Sequence, residues 1–356
     1  MKHRLKTLLR DAYAACLYYT GLYLLFSRFC KPRLTILAGH CVRDASNDEL
    51  PEDMKISSER LEQILKALGK FSRPCTVAEG LAALDGGARG SHVALTMDDG
   101  YKDNATVLPA LLQRVGAKAT VFLESRPLLE RRVNWSHKWF WMISRFDVEE
   151  VTRQYMSRSS DAATLEKLRK RLESAHEEGA DLAYEVKRVF KYDAPAAERD
   201  EVMDSIYLER GGDEAQLCER IYMTLQDARE IEGKGIELGG HTVNHHVLST
   251  LPAEQAEREI HQAREELTAA IGASSGQSFA YPFGRHWDYN EASCGAVTSA
   301  GFQSAVTTHS GCNERQTDRT RLRRWMIDEE TPVSHLVAEA CGGFALLRRC
   351  GIEFVQ

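Results

Sequence analysis

No Cys-x-x-Cys pair occurs in this chain, and its nine cysteines, at 16, 30, 41, 75, 218, 294, 312, 341 and 350, are odd in number and scattered. Neither a zinc knuckle nor a disulfide framework is suggested, and the usage fits isolated buried thiols in a reducing compartment. Positive charge in excess is lacking too. The net charge is −6 and the pI near 6.1, which argues against a general nucleic-acid binder. No internal repeat or low-complexity tract stands out, and no apolar run reaches the roughly 20 residues needed to span a bilayer. What remains is a globular composition, 43% hydrophobic and 28% charged over 356 residues, with material for a large core. One barrel with an insertion fits that length as well as two domains do.

Residues 1–33 differ from the rest. Lys2, Arg4, Lys6, Arg10, Arg28, Lys31 and Arg33 face one acid, Asp11, and enclose the stretch AYAACLYYTGLYLLFSRF. Its tyrosines and trailing basic residues do not read as a cleaved secretory signal. A helix packed on the barrel and a helix lying in a membrane interface both suit it, the latter matching an anionic membrane surface; an uncleaved span suits its length less. With scattered thiols, the expected location is cytoplasmic, peripheral on the inner face of the cytoplasmic membrane.

Seven short apolar runs follow: 34–39, 92–98, 118–124, 236–240, 277–281, 302–308 and 322–327. Helical patterns alternate with them, as in SSERLEQILKALGKF, where Leu61, Ile64, Leu65 and Leu68 form one stripe. The alternation predicts an α/β fold whose parallel sheet is closed into a barrel or wound open. The third and fourth runs lie too far apart for a single crossover. Residues 146–227 are read as an inserted helical segment within a barrel over 34–330, with 331–356 as a C-terminal helix and tail.

Polar residues sit where the runs end, the position of reactive groups in parallel α/β barrels. Asp98-Asp99-Gly100 closes the second run, and neighbouring carboxylates in an apolar setting call for a neutralising cation. His241 and His245 follow IELGG at a spacing that one helical turn would bring to one face. Two histidines and a carboxylate make a catalytic zinc set with open positions, although two surface histidines would show the same spacing. Tyr281-Pro282-Phe283-Gly284 forms a turn that frees backbone N–H groups for a pocket.

Together these segments resemble the polysaccharide deacetylases, carbohydrate esterase family 4, which share the NodB-homology domain. Thr96-Met97-Asp98-Asp99-Gly100 is similar to T-F-D-D-G, His241-Thr242-Val243-Asn244-His245 to H-[ST]-x-x-H, and Tyr281-Pro282-Phe283-Gly284 to a third-motif variant. The resemblance implies a distorted (β/α)7 barrel. It also implies Asp99, His241 and His245 as ligands of a divalent metal (zinc first, with Co2+, Ni2+ or Mn2+ as alternatives), Asp98 as general base, and the Phe283 N–H as part of an oxyanion hole. The activity implied is hydrolysis of an N-acyl, chiefly N-acetyl, group from an amino sugar in a polysaccharide or lipid-linked saccharide.

Two family features are missing. Ala280 stands where relatives carry an arginine, so Arg324 in the seventh run is the candidate to orient Asp98; no late L-x-H motif supplies the acid, so His40, at the end of the first run, is the candidate, with His335 as competitor. Trp135 and Trp139, from an aromatic cluster that also holds His137, are candidate sugar-stacking residues beside Tyr281 and Pro282, packing being the alternative. Asp103 is expected to cap a helix. Rival readings are a non-haem iron oxygenase, against which the βα alternation speaks, an inactive glycan- or lipid-binding member of the fold, and a deformylase or cyclic imidase.

Overall fold

The computed structural model describes residues 2–43, 47–178, 181–272 and 277–349. Cys350 and the rest of the expected tail lie outside the described residues. Seven parallel strands follow one another in chain order around a curled sheet: β1 (Arg33–Gly39), β2 (Ser91–Met97), β3 (Ala119–Leu123), β4 (Ile236–Gly240), β5 (Ser278–Ala280), β6 (Ser304–Val306) and β7 (Trp325–Met326). The segment carrying β7 joins the two ends, since Leu322 bridges Val306 of β6 while Trp325 and Met326 pair with Leu37 and Ala38 of β1. The distorted seven-stranded α/β barrel expected from the sequence is what forms.

β1 and β2 are buried along their whole length, which is why both read as near-continuous apolar runs rather than alternating ones. Four further strands among the described residues gave no such signal, Ser72–Cys75 being the longest of them. Ser72–Cys75 pairs with the first half of β2, on the edge where β3 pairs with the second half. Only its end residues are buried, so no apolar run announces it.

Between β3 and β4 the chain is helical from Ser125 to Ile231. The insertion packs around a core that includes Trp139, Tyr155, Phe190, Tyr207 and Tyr222 and takes in Cys41, Leu50 and Tyr101 from outside it. The boundary expected at 146 is too late, because the helix Trp135–Ile143 belongs to that core. Its Trp139 ring meets Phe190 edge-on at 5.2 Å and its Trp141 ring meets Tyr207 at 4.7 Å, contacts that an aromatic-rich helix buries more favourably than it could alone on the barrel.

The basic N-terminal segment forms helices Lys2–Thr20 and Leu22–Phe29, broken at Gly21 with φ of 74°. One face packs on the C-terminal helices Val333–Ala340 and Gly343–Arg349. Ala14, Leu17 and Tyr23 are buried there, and the Tyr13 hydroxyl donates to the Gly343 carbonyl at 3.2 Å. The other face leaves Leu8, Leu9, Tyr19, Leu22, Leu25 and Phe29 exposed. Arg33, counted with the basic flank, is instead buried at the start of β1. Among the described residues no helix is long and apolar enough to cross a membrane.

Candidate metal centre and its cleft

Asp98 and Asp99 leave the end of β2, His241 leaves the end of β4, and the turn after β5 brings Phe283 beside them. All line one cleft of about 830 Å³ at the C-terminal ends of the strands, together with His40 and Trp139. The backbone around it is unusual. Of the five described non-glycine residues with positive φ, four are here: Asp99 (70°), Thr242 (65°), His245 (56°) and Phe283 (62°). Such conformations each cost of order 1–3 kcal/mol and persist where the surroundings enforce them, which is typical of working sites. Gly100 belongs to the same turn, at φ of 67°, and a Cβ on it would lie 2.7 Å from the Leu123 side chain.

The histidine motif is not a helical turn, as its spacing had suggested. It is a loop, wound through Thr242 and held by two anchors. The Thr242 hydroxyl accepts the His245 N–H at 3.0 Å, and the buried Glu259 carboxylate accepts the Val243 and Asn244 N–H groups at 3.0 and 2.9 Å. These side chains take backbone donors that the loop has no ladder to satisfy.

Asp99, His241 and His245 each present one ligand atom, and the three atoms lie within 4.8 Å of one another. Asp99 Oδ1 is 3.3 Å from His241 Nε2 and 3.4 Å from His245 Nε2, yet this buried oxygen has no hydrogen-bond partner. His241 Nδ1 donates to the Ala280 carbonyl at 2.7 Å, which turns the Nε2 lone pair toward Asp99. Burial holds the His245 pKa well below its ordinary value, so that ring is neutral. Burial works the same way on His241, but the contact with Asp99 outweighs it and the pKa is raised. Three convergent, buried donors with an orphaned oxygen among them fit a divalent cation.

Asp98 faces a different partner. Arg324, fully buried, meets it through both guanidinium branches, Nη1 to Oδ1 at 2.7 Å and Nη2 to Oδ2 at 2.8 Å. The same arginine donates to Thr96 Oγ1 at 3.1 Å and to the Thr307 carbonyl at 2.8 Å. Burial would raise the Asp98 pKa, but the Arg324 charge reverses that and holds it below the ordinary carboxylate range. The guanidinium missing from the motif at Ala280 thus reaches Asp98 from the last strand segment.

Several expected roles do not survive. His335 pairs with Asp11 at 3.1 Å, under the N-terminal helix and outside the cleft. Tyr281 is buried, stacks on Tyr289 at 4.3 Å and donates to the Thr320 carbonyl at 3.0 Å, and Pro282 is buried beside it, so neither faces the cleft. Trp135 lies beneath the Arg199 guanidinium, 4.2 Å from its ring centre, outside the cleft. Asp103 caps nothing. Its buried carboxylate accepts from the Val42 N–H at 2.7 Å and from Asn47 at 3.1 Å, while Asn104 donates to the His40 carbonyl at 3.1 Å. That pair fixes the loop that carries His40.

Other participants had little signal. The Tyr101 hydroxyl donates to Asp99 Oδ2 at 2.8 Å and meets His137 Nε2 at 2.5 Å, and His137 Nδ1 in turn meets the Tyr222 hydroxyl. The inserted helices therefore reach the ligand set from behind. Burial lowers the His137 pKa to about 4, so it is a neutral bridge. Asn134 anchors that helix by donating to both oxygens of the buried Glu124, at 2.9 and 3.1 Å, and by accepting the His137 N–H at 3.0 Å.

Comparison with known proteins agrees with this geometry. A model of the polysaccharide deacetylase family matches residues 214–305, a stretch that includes the histidine motif and the turn after β5. No curated protein matches the sequence. Among solved structures, the Streptococcus pyogenes deacetylase PplD, in complex with acetate, is similar with a TM-score of 0.54 and 16% identity, over 87% of this chain and 99% of that one. A de-N-acetylase from Aggregatibacter actinomycetemcomitans is similar at 0.51 and 16%, over 85% and 98%, and IcaB from Ammonifex degensii at 0.50 and 14%, over 87% and 97%. At such identities the solved structures show a shared fold, and the polysaccharide deacetylase model adds a sequence match confined to residues 214–305.

Proposed function

We propose that the chain is a metal-dependent de-N-acylase acting on an N-acylated amino sugar, chiefly N-acetylated. The observation that carries this is the division of two adjacent buried carboxylates, Asp98 held by Arg324 and Asp99 aimed with two histidines at one point. An inactive binding protein has no need of that division. Asp99, His241 and His245 would hold the cation, zinc first, and its chemistry when bound is to polarise the amide carbonyl and to acidify water. Asp98, ionised and oriented by Arg324, takes the proton of the attacking water. The Phe283 N–H donates to no acceptor within the described residues and supports the oxyanion as it forms. His40, on the cleft wall, is the group placed to protonate the leaving amine.

The N-terminal helices suit a membrane-borne substrate. Their exposed apolar stripe, Leu8, Leu9, Tyr19, Leu22, Leu25 and Phe29, is flanked in sequence by Lys2, Arg4, Lys6, Arg28 and Lys31. An amphipathic element of this kind lies in an anionic headgroup layer. A lipid-linked saccharide at the inner face of the cytoplasmic membrane is the substrate this arrangement serves.

Three outcomes are expected. Incubated with N-acetylated glucosamine oligomers and zinc, the chain removes acetyl mass; Asp98→Asn keeps its metal and loses turnover by roughly 10²-fold or more, whereas Asp99→Asn loses metal. Equal metal loss in both variants, measured by elemental analysis, contradicts the division of labour. Arg324→Lys keeps a cation but not the two-pronged contact, so the opposing effect of burial gains, the Asp98 pKa rises, and the acid limb of the kcat/KM profile moves to higher pH. An unmoved limb removes Arg324 from the base's environment. In vesicle co-sedimentation the full chain binds anionic more than neutral lipid, and Leu8→Asp with Leu25→Asp abolishes binding; equal sedimentation of both proteins sinks the membrane reading.

A further inference from the structure

Opposite the ligand set, the cleft is walled by the helix Leu182–Tyr192 of the insertion. Its apolar residues Val186, Val189 and Phe190 are buried in the insertion's core, which leaves Tyr184, Lys187, Arg188 and Lys191 on the cleft side, at the three- and four-residue spacing of one helical face. Three of these four are cations. Arg285, from the turn after β5, lines the same wall.

Little counter-charge meets them. Lys187 forms no ion pair among the described residues and rests on the Phe140 ring, 3.9 Å from its centre. Arg285 likewise forms none, its guanidinium lying 5.7 Å from the Trp287 ring centre. Arg188 has a loose pairing with Glu185 at 3.6 Å. Lys191 lies 3.3 Å from the buried Asp288 and 3.5 Å from the centre of the Phe283 ring, which itself packs on His245 at 4.8 Å. Two acids of the cleft are already engaged elsewhere: Glu52 pairs with Arg43 and Lys55, and Asp181 caps its own helix. Asp53 and, from the ligand set, Asp99 are the carboxylates that act on Lys187, and neither forms an ion pair with it. Burial pushes Lys187 down to about 8 and Lys191 to about 7, the cost of ammonium groups with too few acceptors.

We infer that Lys187, Arg188, Lys191 and Arg285 form a subsite for a phosphoryl group carried by the N-acylated sugar. Neutral glycans give such a wall nothing to pair with. A dianion among several cations in a partly dry cleft gains charge-assisted hydrogen bonds from each. The inference rests on the deacylase reading for the sugar, but not for the anion. It places the phosphoryl at the insertion and the acylamido group at Asp98 and Asp99. Phosphoryl groups reach such a site on a lipid carrier or on a free sugar phosphate.

The test is calorimetric and needs no turnover, so its failure is distinct from a failure of deacylation. Full-length protein is titrated with inorganic pyrophosphate, with N-acetylglucosamine 1-phosphate and with glucuronate. Lys187→Met keeps the aliphatic stem, and Arg285→Gln provides a second variant; neither breaks an ion pair, and any binding at the metal is common to all three proteins. Each change is expected to weaken pyrophosphate binding roughly tenfold or more. Undiminished binding in both variants overturns the subsite, and tighter binding of glucuronate than of the phosphates overturns its assignment to phosphoryl. Vesicles bearing a polyisoprenyl-phosphate sugar, competed against the soluble sugar phosphate for pyrophosphate displacement, distinguish the two sources: stronger displacement by either supports the subsite and names the carrier, and displacement by neither contradicts it.

Discussion

Two carboxylates adjacent in sequence and both buried cannot stay ionised unless each has its own counter-charge, because repulsion and desolvation together favour protonating one of them. Asp98 and Asp99 meet this constraint by pointing apart. Asp99 adopts a left-handed backbone conformation, with Gly100 behind it doing the same, and the two side chains then face different neighbours. Asp98 receives a guanidinium through two hydrogen bonds; Asp99 receives a tyrosine hydroxyl on one oxygen, while the other, 3.3 and 3.4 Å from the His241 and His245 nitrogens, has no hydrogen-bond partner and fits a cation. Removing one partner from a buried pair of this kind costs about 3–5 kcal/mol, since the survivor is left charged and dry. Much of the surrounding structure is organised to prevent that. Thr96 and the Thr307 carbonyl hold Arg324 in place, and Glu259 and Thr242 hold the histidine loop.

The insertion serves the same site from the other side. Tyr222 and His137 support Tyr101 behind Asp99, and the helix Leu182–Tyr192 supplies one wall of the cleft. The barrel positions the carboxylates and histidines, and the insertion contributes a wall of the cleft they line.

What the sequence reveals, and what it hides, follows the kind of signal each residue carries. Most of the seven strands are legible because strands buried on both faces read as near-continuous apolar runs, although Trp325–Met326 is only partly buried; Ser72–Cys75 is not legible because it is exposed at its centre. The ligand set stands out through residue type at strand ends. Arg324 is legible by elimination once Ala280 is seen to lack a guanidinium. The loop conformation of His241 to His245 is not, because the deciding partner is Glu259, distant in sequence, whose carboxylate takes the Val243 and Asn244 N–H groups. Tyr281 and Trp135 mislead for a simple reason: an aromatic side chain has the same surface to offer a sugar or a core, and only the packing of Tyr289 and Arg199 against them settles which. Asp103 misleads similarly, since its position next to a helix start conceals that its carboxylate is claimed by the loop from β1.

The proposed function requires that Asp99, His241 and His245 converge on one cation and that Asp98 does not bind it. Anomalous diffraction from crystals of the zinc-loaded protein, recorded on either side of the metal's absorption edge, tests this directly. One peak, within bonding distance of Asp99 Oδ1, His241 Nε2 and His245 Nε2 and with both Asp98 oxygens still on Arg324, is the predicted result. No peak at that point, or a peak that draws Asp98 away from Arg324 into the coordination sphere, would contradict it.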